Sequence, residues 1–405
     1  MKRLAIVGNG IAAGSLLSEI QKIGGQFETV VFGDEATPAY NRVLLSSVLA
    51  GEMSLQDISL QQDDWYQQHN IQCKLGTRIE SINTELKVLH CQNGESYHYD
   101  VLVLATGAQS RCIDIPGTHL PGVIAFRTAA DAKQLQEIAN SDRKTVVLGG
   151  GLLGLEAAAG LAQHGADVTL VHRNDYLMNR QLDKTSAKLL QQALEQRGVK
   201  FVLGDAPTAL LGSDKVDAVQ LNSGLCIEAS CVVQAAGITP NTALAMQSGI
   251  ECKHGILVDD QMQSKINDIY ALGECCEHQN KTIGLVAPIR EQADVLARVL
   301  CGDPQAAYAA KSTATQLKVS GIHLFSAGDL TPADSDAEEI VLSNPATTGI
   351  KDTSYRKLII SNNRLSGIVL YGDTSDSHWY FEQLQAGNDI SNNRESLLFG
   401  QAFCA

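Results

Sequence analysis

The sequence contains no CxxC pair, and its ten cysteines form no regular framework. That excludes a disulfide scaffold as the basis of the fold and favours a reducing, cytoplasmic compartment. No metal or haem spacing is present. Nor does the chain hold a run of about 18 uncharged apolar residues, so it predicts no helical membrane span. Basic residues are in deficit, with 31 Lys and Arg against 45 Asp and Glu and a net charge of −14. Such a chain is a poor partner for nucleic acid, and it has no basic patch for a membrane surface. What remains is ordinary globular composition, 44% hydrophobic and 19% charged over 405 residues. A chain of that length predicts two or three domains with ample core.

The stretch from Thr145 to Arg173 organises the rest. Thr145 to Leu148 is a short β-branched run, Gly149-Gly150-Gly151 a sharp turn, and Leu152 to Gln163 a Leu- and Ala-rich helix. Gly149, Gly151 and Gly154 have GxGxxG spacing. The first glycine permits the turn, the second lets backbone approach a pyrophosphate, and the third lets helix pack on strand. A second strand, Asp167 to His172, ends about 20 residues on, where the dinucleotide fingerprint expects it. The alternative is a glycine-rich packing turn, which that context disfavours.

The same device opens the chain. Leu4 to Val7 reads as a strand, Gly8 to Ala13 as GxGxxA built on Gly8, Gly10 and Ala13, and Ala12 to Lys22 as a helix. Thr29 to Phe32 reads as the next strand, ending just before Asp34 and Glu35, one of which suits a ribose diol. The first twenty residues also have the basic start and apolar middle of a secretory signal. Cleavage there would remove the glycine motif, so the segment is read as retained structure. Two such motifs imply two dinucleotides, FAD and NAD(P)H, because hydride transfer needs a donor and an acceptor held together.

Residues 37–52, TPAYNRVLLSSVLAGE, predict a turn and an apolar helix. Arg42 and Tyr40 there can reach a phosphate or a flavin, or be polar residues beside a helix start. Val101 to Ala105 is a fully apolar strand closed by Thr106-Gly107. GxGxxA at Gly8, ATG at Ala105 to Gly107, GGGLLGLE from Gly149, AAGITPN at Ala235 to Asn241 and IYALGE at Ile269 to Glu274 stand in a set order. In this combination the first 310 or so residues resemble the FAD-dependent pyridine nucleotide-disulfide oxidoreductase superfamily.

The resemblance implies an α/β fold with two Rossmann-like dinucleotide-binding domains, the FAD domain split by the inserted NAD(P) domain. The divisions expected are 1–110 and 240–312 for FAD, 111–239 for NAD(P)H and 313–405 for a C-terminal α+β interface domain. It further implies cofactor contacts at Ala105, Thr106, Gly107, Gly237, Gly273, Glu274 and Pro288, the last near a helix start facing the flavin pyrimidine. The family places Glu156 by the nicotinamide, although a carboxylate early in a helix is also explained by the helix dipole. Glu156 and Arg42 are the catalytic candidates.

PAYNRVLLSS, LMNRQLD, LGECC, GLVAP, GDTSD and GNDIS with LLFG look like the flavin part of NAD(P)H-dependent nitrite reductase large subunits. They look equally like the flavoprotein electron-transfer subunits of assimilatory nitrate reductases. No iron-sulfur or sirohaem module follows before Ala405, so electrons are expected to leave to a separate protein: a nitrate reductase first, a rubredoxin or ferredoxin second. An NADH oxidase and a non-catalytic flavin-binding redox sensor are the other classes, and oligomerisation is left open. Disulfide relay chemistry is not expected, because Tyr40 to Ala50 holds no cysteine. Cys275 and Cys276 are adjacent, and their direct disulfide is strained.

Where an NAD site usually places Asp or Glu, the second motif has His172-Arg173. Two unit charges about 4 Å apart interact by roughly 4 kcal/mol at an effective dielectric near 20, so an arginine there attracts a 2′-phosphate that a carboxylate repels. That tilts the expectation toward NADPH, against a reading in which Arg173 points into water. From about Thr313, LKVSGIHLF and RKLIISNNRLSGIVLYG predict strands, the second a hairpin around Asn362-Asn363. Trp379-Tyr380-Phe381 is expected to fill core, the alternatives being a flavin cover or a partner contact.

Overall fold

The computed structural model describes residues 1–62, 64–139, 144–317, 319, 321–331, 337–344 and 353–404, with the backbone alone at Glu395. The chain divides into two compact units. The first comprises Met1–Leu45, Ser54–Gln109 and Ile238–Ala310, and the second Ser46–Met53, Ser110–Gly237 and Lys311–Ala405.

In the first unit five parallel strands lie in the order Ile71–Lys74, Phe27–Phe32, Lys2–Val7, Val101–Leu104, Ile269–Ala271. Leu4 at the centre pairs with Thr29 on one side and Val101 on the other. Val101–Leu104 is buried at every position, as a strand covered on both faces requires. The helix Ile11–Ile23 turns Ala13, Leu16, Leu17 and Ile20 inward at helical spacing. They share a core with Ala293, Leu296 and Ala297 of the helix Val286–Leu300. Gly24 ends the first helix in the left-handed region, at φ 81°.

The second unit repeats the arrangement with Lys200–Leu203, Asp167–His172, Lys144–Leu148 and Cys231–Gln234, and its fifth strand, Val123–Ala125, precedes the others in sequence instead of following them. Its central helix, Leu152–Gln163, is buried without interruption from Gly154 to Leu161. Each unit also carries a three-stranded antiparallel sheet, Ile79–Asn83, Val88–Cys91 and Ser96–His98 in the first and Pro207–Leu211, Ala218–Leu221 and Cys226–Glu228 in the second.

The second unit further contains an antiparallel sheet in the order Ala314–Gln316, Leu324–Gly328, Arg364–Tyr371, Ser354–Ser361, Glu338–Asn344. The hairpin around Asn362 and Asn363 is present, with φ 51° and 56°, the two left-handed residues of a type I′ turn. LKVSGIHLF is not one strand. Ala314–Gln316 folds back antiparallel on Leu324–Gly328, with Gly321 at φ 69° supplying the reversal. Lys318 and Ser320 lie outside the described residues. On the helix Ser377–Ala386, Tyr380 is fully buried, and Trp379 and Phe381 are partly buried against the cluster that includes Leu358, Ile368 and Leu370. Tyr380 therefore fills core, and Trp379 and Phe381 line its edge. No helix among the described residues is long and apolar enough to cross a membrane.

Candidate functional site

The two glycine motifs fold alike down to single hydrogen bonds. In the first unit the Gly8 N–H donates to Phe32 O and the Ala105 N–H to Val7 O, both at 2.8 Å. In the second the Gly149 N–H donates to Val171 O and the Ala235 N–H to Leu148 O, both at 2.9 Å. A Cβ on Gly8 would lie 2.0 Å from Ala105 O, and one on Gly149 would lie 2.4 Å from Ala235 O. Only glycine lets the turn pass so close to the neighbouring strand.

Gly10 and Gly151 are the N-caps of the following helices, with extended backbone and no side-chain cap. A Cβ at either would meet nothing within 4 Å. Uncapped amides on an open side, at the positive end of a helix dipole, fit a pyrophosphate. Ala13 is buried at the third position of the first motif, where the second has Gly154.

Around the first motif Glu35 is fixed by two donors, Tyr40 Oη to Oε2 and Arg42 Nη2 to Oε1, both at 2.7 Å. Arg42 also lies over the Tyr40 ring. Burial opposes its charge, but Tyr40, Glu35 and Glu274 outweigh that and raise its pKa. Asp34 instead pairs with Arg78 at 3.6 Å, both well exposed, so Glu35 is the organised carboxylate. Glu274 spans the gap between two glycines. A Cβ on Gly107 would lie 3.9 Å from its Oε2, and one on Gly284 3.9 Å from its Oε1.

Thr106 is clasped by Asn241: its hydroxyl donates to Asn241 O at 2.9 Å, and Asn241 Nδ2 donates to Thr106 O at 2.8 Å. Gly273 stands beside the first helix, where a Cβ would meet Ala12 at 2.9 Å. Its N–H donates to the buried Gln292 Oε1 at 2.9 Å. Tyr66 Oη donates to Asn9 Oδ1 at 2.9 Å, bracing the residue between the first two glycines. Gln292, Asn9 and Tyr66 escaped the sequence reading, because single polar residues with partners remote in sequence leave no spacing to find. Pro288, in the first turn of Val286–Leu300, is buried.

In the second unit Glu156 is 8% exposed, in the second turn of Leu152–Gln163. The two catalytic candidates thus belong to different units, Arg42 to the first and Glu156 to the second. Gly237 has φ 112° and accepts from the Arg111 N–H. Arg173 is exposed. His172 turns back onto the glycine turn, accepting from the Gly150 N–H at Nδ1, 3.1 Å away. Burial, then the neighbouring Arg173, lowers its pKa against an opposing contribution from Asn179.

None of the ten cysteines is in a disulfide. Cys275 and Cys276 are buried, and burial raises both thiols. Together the first uncapped glycine turn, the fixed Glu35, Glu274 beside Gly107 and Gly284, and the cation of Arg42 fit FAD in the first unit, and the second glycine turn fits a nicotinamide dinucleotide.

Residues 2–314 match the model of the family described as pyridine nucleotide-disulphide oxidoreductase, and residues 314–387 that of the rubredoxin NAD+ reductase C-terminal domain. The chain is 41% identical over 391 residues to a nitrite reductase [NAD(P)H] of Bacillus subtilis, covering 96% of this chain and 48% of that protein. It is 38% identical over 398 residues to the assimilatory nitrate reductase electron transfer subunit of the same organism, covering 98% and 51%. It therefore spans about half the length of these relatives. Among solved structures, a covalent putidaredoxin reductase–putidaredoxin complex matches at TM-score 0.85 and 22% identity over 99% of both chains, a likeness of fold. This chain belongs to the pyridine nucleotide-disulphide oxidoreductase family.

Proposed function

We propose that this chain passes electrons from NAD(P)H through FAD to a separate redox protein, an assimilatory nitrate reductase, and so serves nitrogen assimilation. The observation that carries the reading is its likeness, over 98% of its length, to the electron transfer subunit of such an enzyme. The thiol chemistry agrees. The helix Leu45–Leu49 and its approach hold no cysteine, and burial keeps Cys275 and Cys276 protonated, so neither is a ready thiolate nucleophile.

When bound, FAD supplies the conversion of a two-electron hydride donor into a one-electron source. The chain's own residues bind and orient. Gly8, Gly10 and Ala13 in one unit, and Gly149, Gly151 and Gly154 in the other, shape turns for the two pyrophosphates. Glu35 is aimed at a ribose diol by Tyr40 and Arg42, and Glu274 holds the flavin side between Gly107 and Gly284. Ala105, Thr106, Gly237, Gly273 and Pro288 shape the backbone near the cofactors, and Glu156 orients the nicotinamide.

The division into 1–110 with 240–312 for FAD, 111–239 for NAD(P)H and 313–405 for the interface domain belongs to this proposal. A bulky residue at Gly10 then removes flavin, whereas one at Gly151 removes nicotinamide binding and leaves the flavin. Cytoplasmic residence belongs to it as well, supported by ten cysteines outside any disulfide, and cell fractionation checks it. Arg173, exposed and basic, supports a preference for NADPH, which the ratio of kcat/KM for the two nucleotides tests.

The experiment is stopped-flow reduction of the flavin by NAD(P)H, followed by reoxidation with purified nitrate reductase. Flavin that bleaches but is not reoxidised by that enzyme sinks the acceptor assignment. Reoxidation by rubredoxin would instead establish the second reading, which the match of residues 314–387 to a rubredoxin reductase domain favours.

A further inference from the structure

We propose that His172 is a positioning residue for the nicotinamide dinucleotide: its imidazole Nδ1 holds the Gly150 amide and so sets the shape of the phosphate-binding turn. The inference rests on the nicotinamide-binding role given above to the second motif.

The two motifs solve one packing problem in opposite ways. Gly8 bonds to Phe32 O and Gly149 to Val171 O, so by register Gly33 is the counterpart of His172, and Asn9 that of Gly150. In the first unit the side chain stands on the turn. Asn9 is held by Tyr66 Oη at 2.9 Å and donates to Cys73 Sγ at 3.6 Å. The residue after the strand is then Gly33, where a Cβ would come within 3.2 Å of Asn9 Cβ.

In the second unit the sizes are exchanged. Gly150 has no side chain to be held, and a Cβ there would lie 2.7 Å from His172 Cγ. The imidazole fills the space that Asn9 fills in the first motif, and it grips the backbone instead. Because Nδ1 accepts from an amide at 3.1 Å, the ring is neutral with its proton on Nε2. That nitrogen faces Asn179 Oδ1 at 3.4 Å and Asn174 Nδ2 at 3.5 Å, and the two asparagines are bonded to each other at 2.9 Å. Burial and the adjacent Arg173 both keep the ring uncharged.

Asparagine places an oxygen near the position of Nδ1, whereas glutamine reaches the position of Nε2. His172→Gln should therefore weaken NADP+ and NAD+ binding to the flavin-loaded protein by about fivefold, the worth of one net hydrogen bond. Turnover at saturating nucleotide and flavin content should stay within about twofold of wild type. His172→Asn should recover most of the lost affinity. In wild type, selective ¹⁵N labelling of histidine should show the Nε2–H tautomer at His172, assigned by loss of its signal in the variants. Equal affinity in His172→Gln and wild type overturns the proposal, as does a His172→Asn variant as weak as His172→Gln, or an Nδ1–H tautomer. If His172→Gln does not fold, the tautomer decides alone. Wild-type protein that binds neither nucleotide refutes the nicotinamide role itself, a separate outcome.

Discussion

Gly154→Ala should destabilise the second unit and weaken NAD(P)H binding, although the first motif carries an alanine at the same place. A Cβ on Gly154 would lie 2.0 Å from Gly149 O, 3.0 Å from Gly149 C and 3.3 Å from Ala235 Cβ. The first of these is about 1.4 Å short of ordinary contact, which begins near 3.4 Å. The obstacle is backbone, so no rotamer relieves it. The helix Leu152–Gln163 must move off its strand, and its buried run from Gly154 to Leu161 moves with it. Overpacking of this kind costs about 3 kcal/mol, and better helix propensity returns about 1 kcal/mol. The net loss of about 2 kcal/mol corresponds to a fall in Tm of roughly 4–8 °C. Displacing the turn by about 1 Å should raise KM for NAD(P)H roughly tenfold. Flavin content should not change, because the motif proposed to hold flavin lies in the other unit. At Ala13 the sign reverses: Ala13→Gly should cost about 2 kcal/mol, from helix propensity and a lost buried methyl. Calorimetry and NAD(P)H titration measure both. A Gly154→Ala protein with wild-type Tm and KM would refute the close approach of helix and strand.

Other perturbations test single contacts. Glu35→Gln removes the charge that Tyr40 and Arg42 hold, at a partly exposed site, so about 1 kcal/mol and roughly a fivefold loss of FAD affinity are expected; unchanged flavin retention on dialysis rules the contact out. Asp183 caps the helix Lys184–Glu195 by accepting from the Ser186 N–H at 3.0 Å and also accepts from Tyr355 Oη at 2.6 Å. Asp183→Ala should therefore lower unfolding free energy by about 2 kcal/mol in denaturant melts, and a loss below about 0.5 kcal/mol would discount both bonds. The side chain and backbone N–H of Arg3 hold Asp100 down to about 2. A folded pKa below the unfolded value of about 3.9 means that the stabilisation is present above pH 4 and fades as pH falls toward 2. The stability gap between wild type and Asp100→Asn should close over that interval, and a gap independent of pH would contradict the pairing.

The fold was largely legible because its signals are local and repeated. Leu152–Gln163 and Asp167–His172 fall where composition placed them, since a glycine turn between an apolar strand and an apolar helix leaves few alternatives. The site was legible only in its backbone. Glycine marks itself by spacing, whereas Glu35 is singled out from Asp34 by Tyr40 and Arg42, five and seven residues along. Gln292 reaches Gly273 across nineteen positions and Tyr66 reaches Asn9 across fifty-seven, distances at which periodicity is silent. The strand expected over residues 317–325 failed for a related reason: a β-rich run does not show that Gly321 reverses it.

The duplication also separates what binding any dinucleotide requires from what selects one. Shared between the halves are the crossover bonds, the clash-forbidden first glycine and the uncapped helix start. On the proposed reading these serve the pyrophosphate, common to both ligands. The register that equates Gly33 with His172 also equates Asp34 with Arg173 and Glu35 with Asn174. In the half proposed for flavin that position therefore carries a carboxylate fixed by two donors, which would accept a ribose diol and repel a 2′-phosphate. In the half proposed for the nicotinamide the same position carries a neutral amide tied to Asn179, and the residue before it is an exposed arginine. Replacing a carboxylate by an amide removes a repulsion of roughly 4 kcal/mol at about 4 Å and an effective dielectric near 20. Arg173, which is exposed, would add attraction that water screens. On the proposed reading the second half would tolerate the phosphate before it demands it. Arg173→Ala should accordingly lower kcat/KM for NADPH several-fold and leave that for NADH within about twofold. Equal losses for both nucleotides would show that Arg173 does not read the 2′ position.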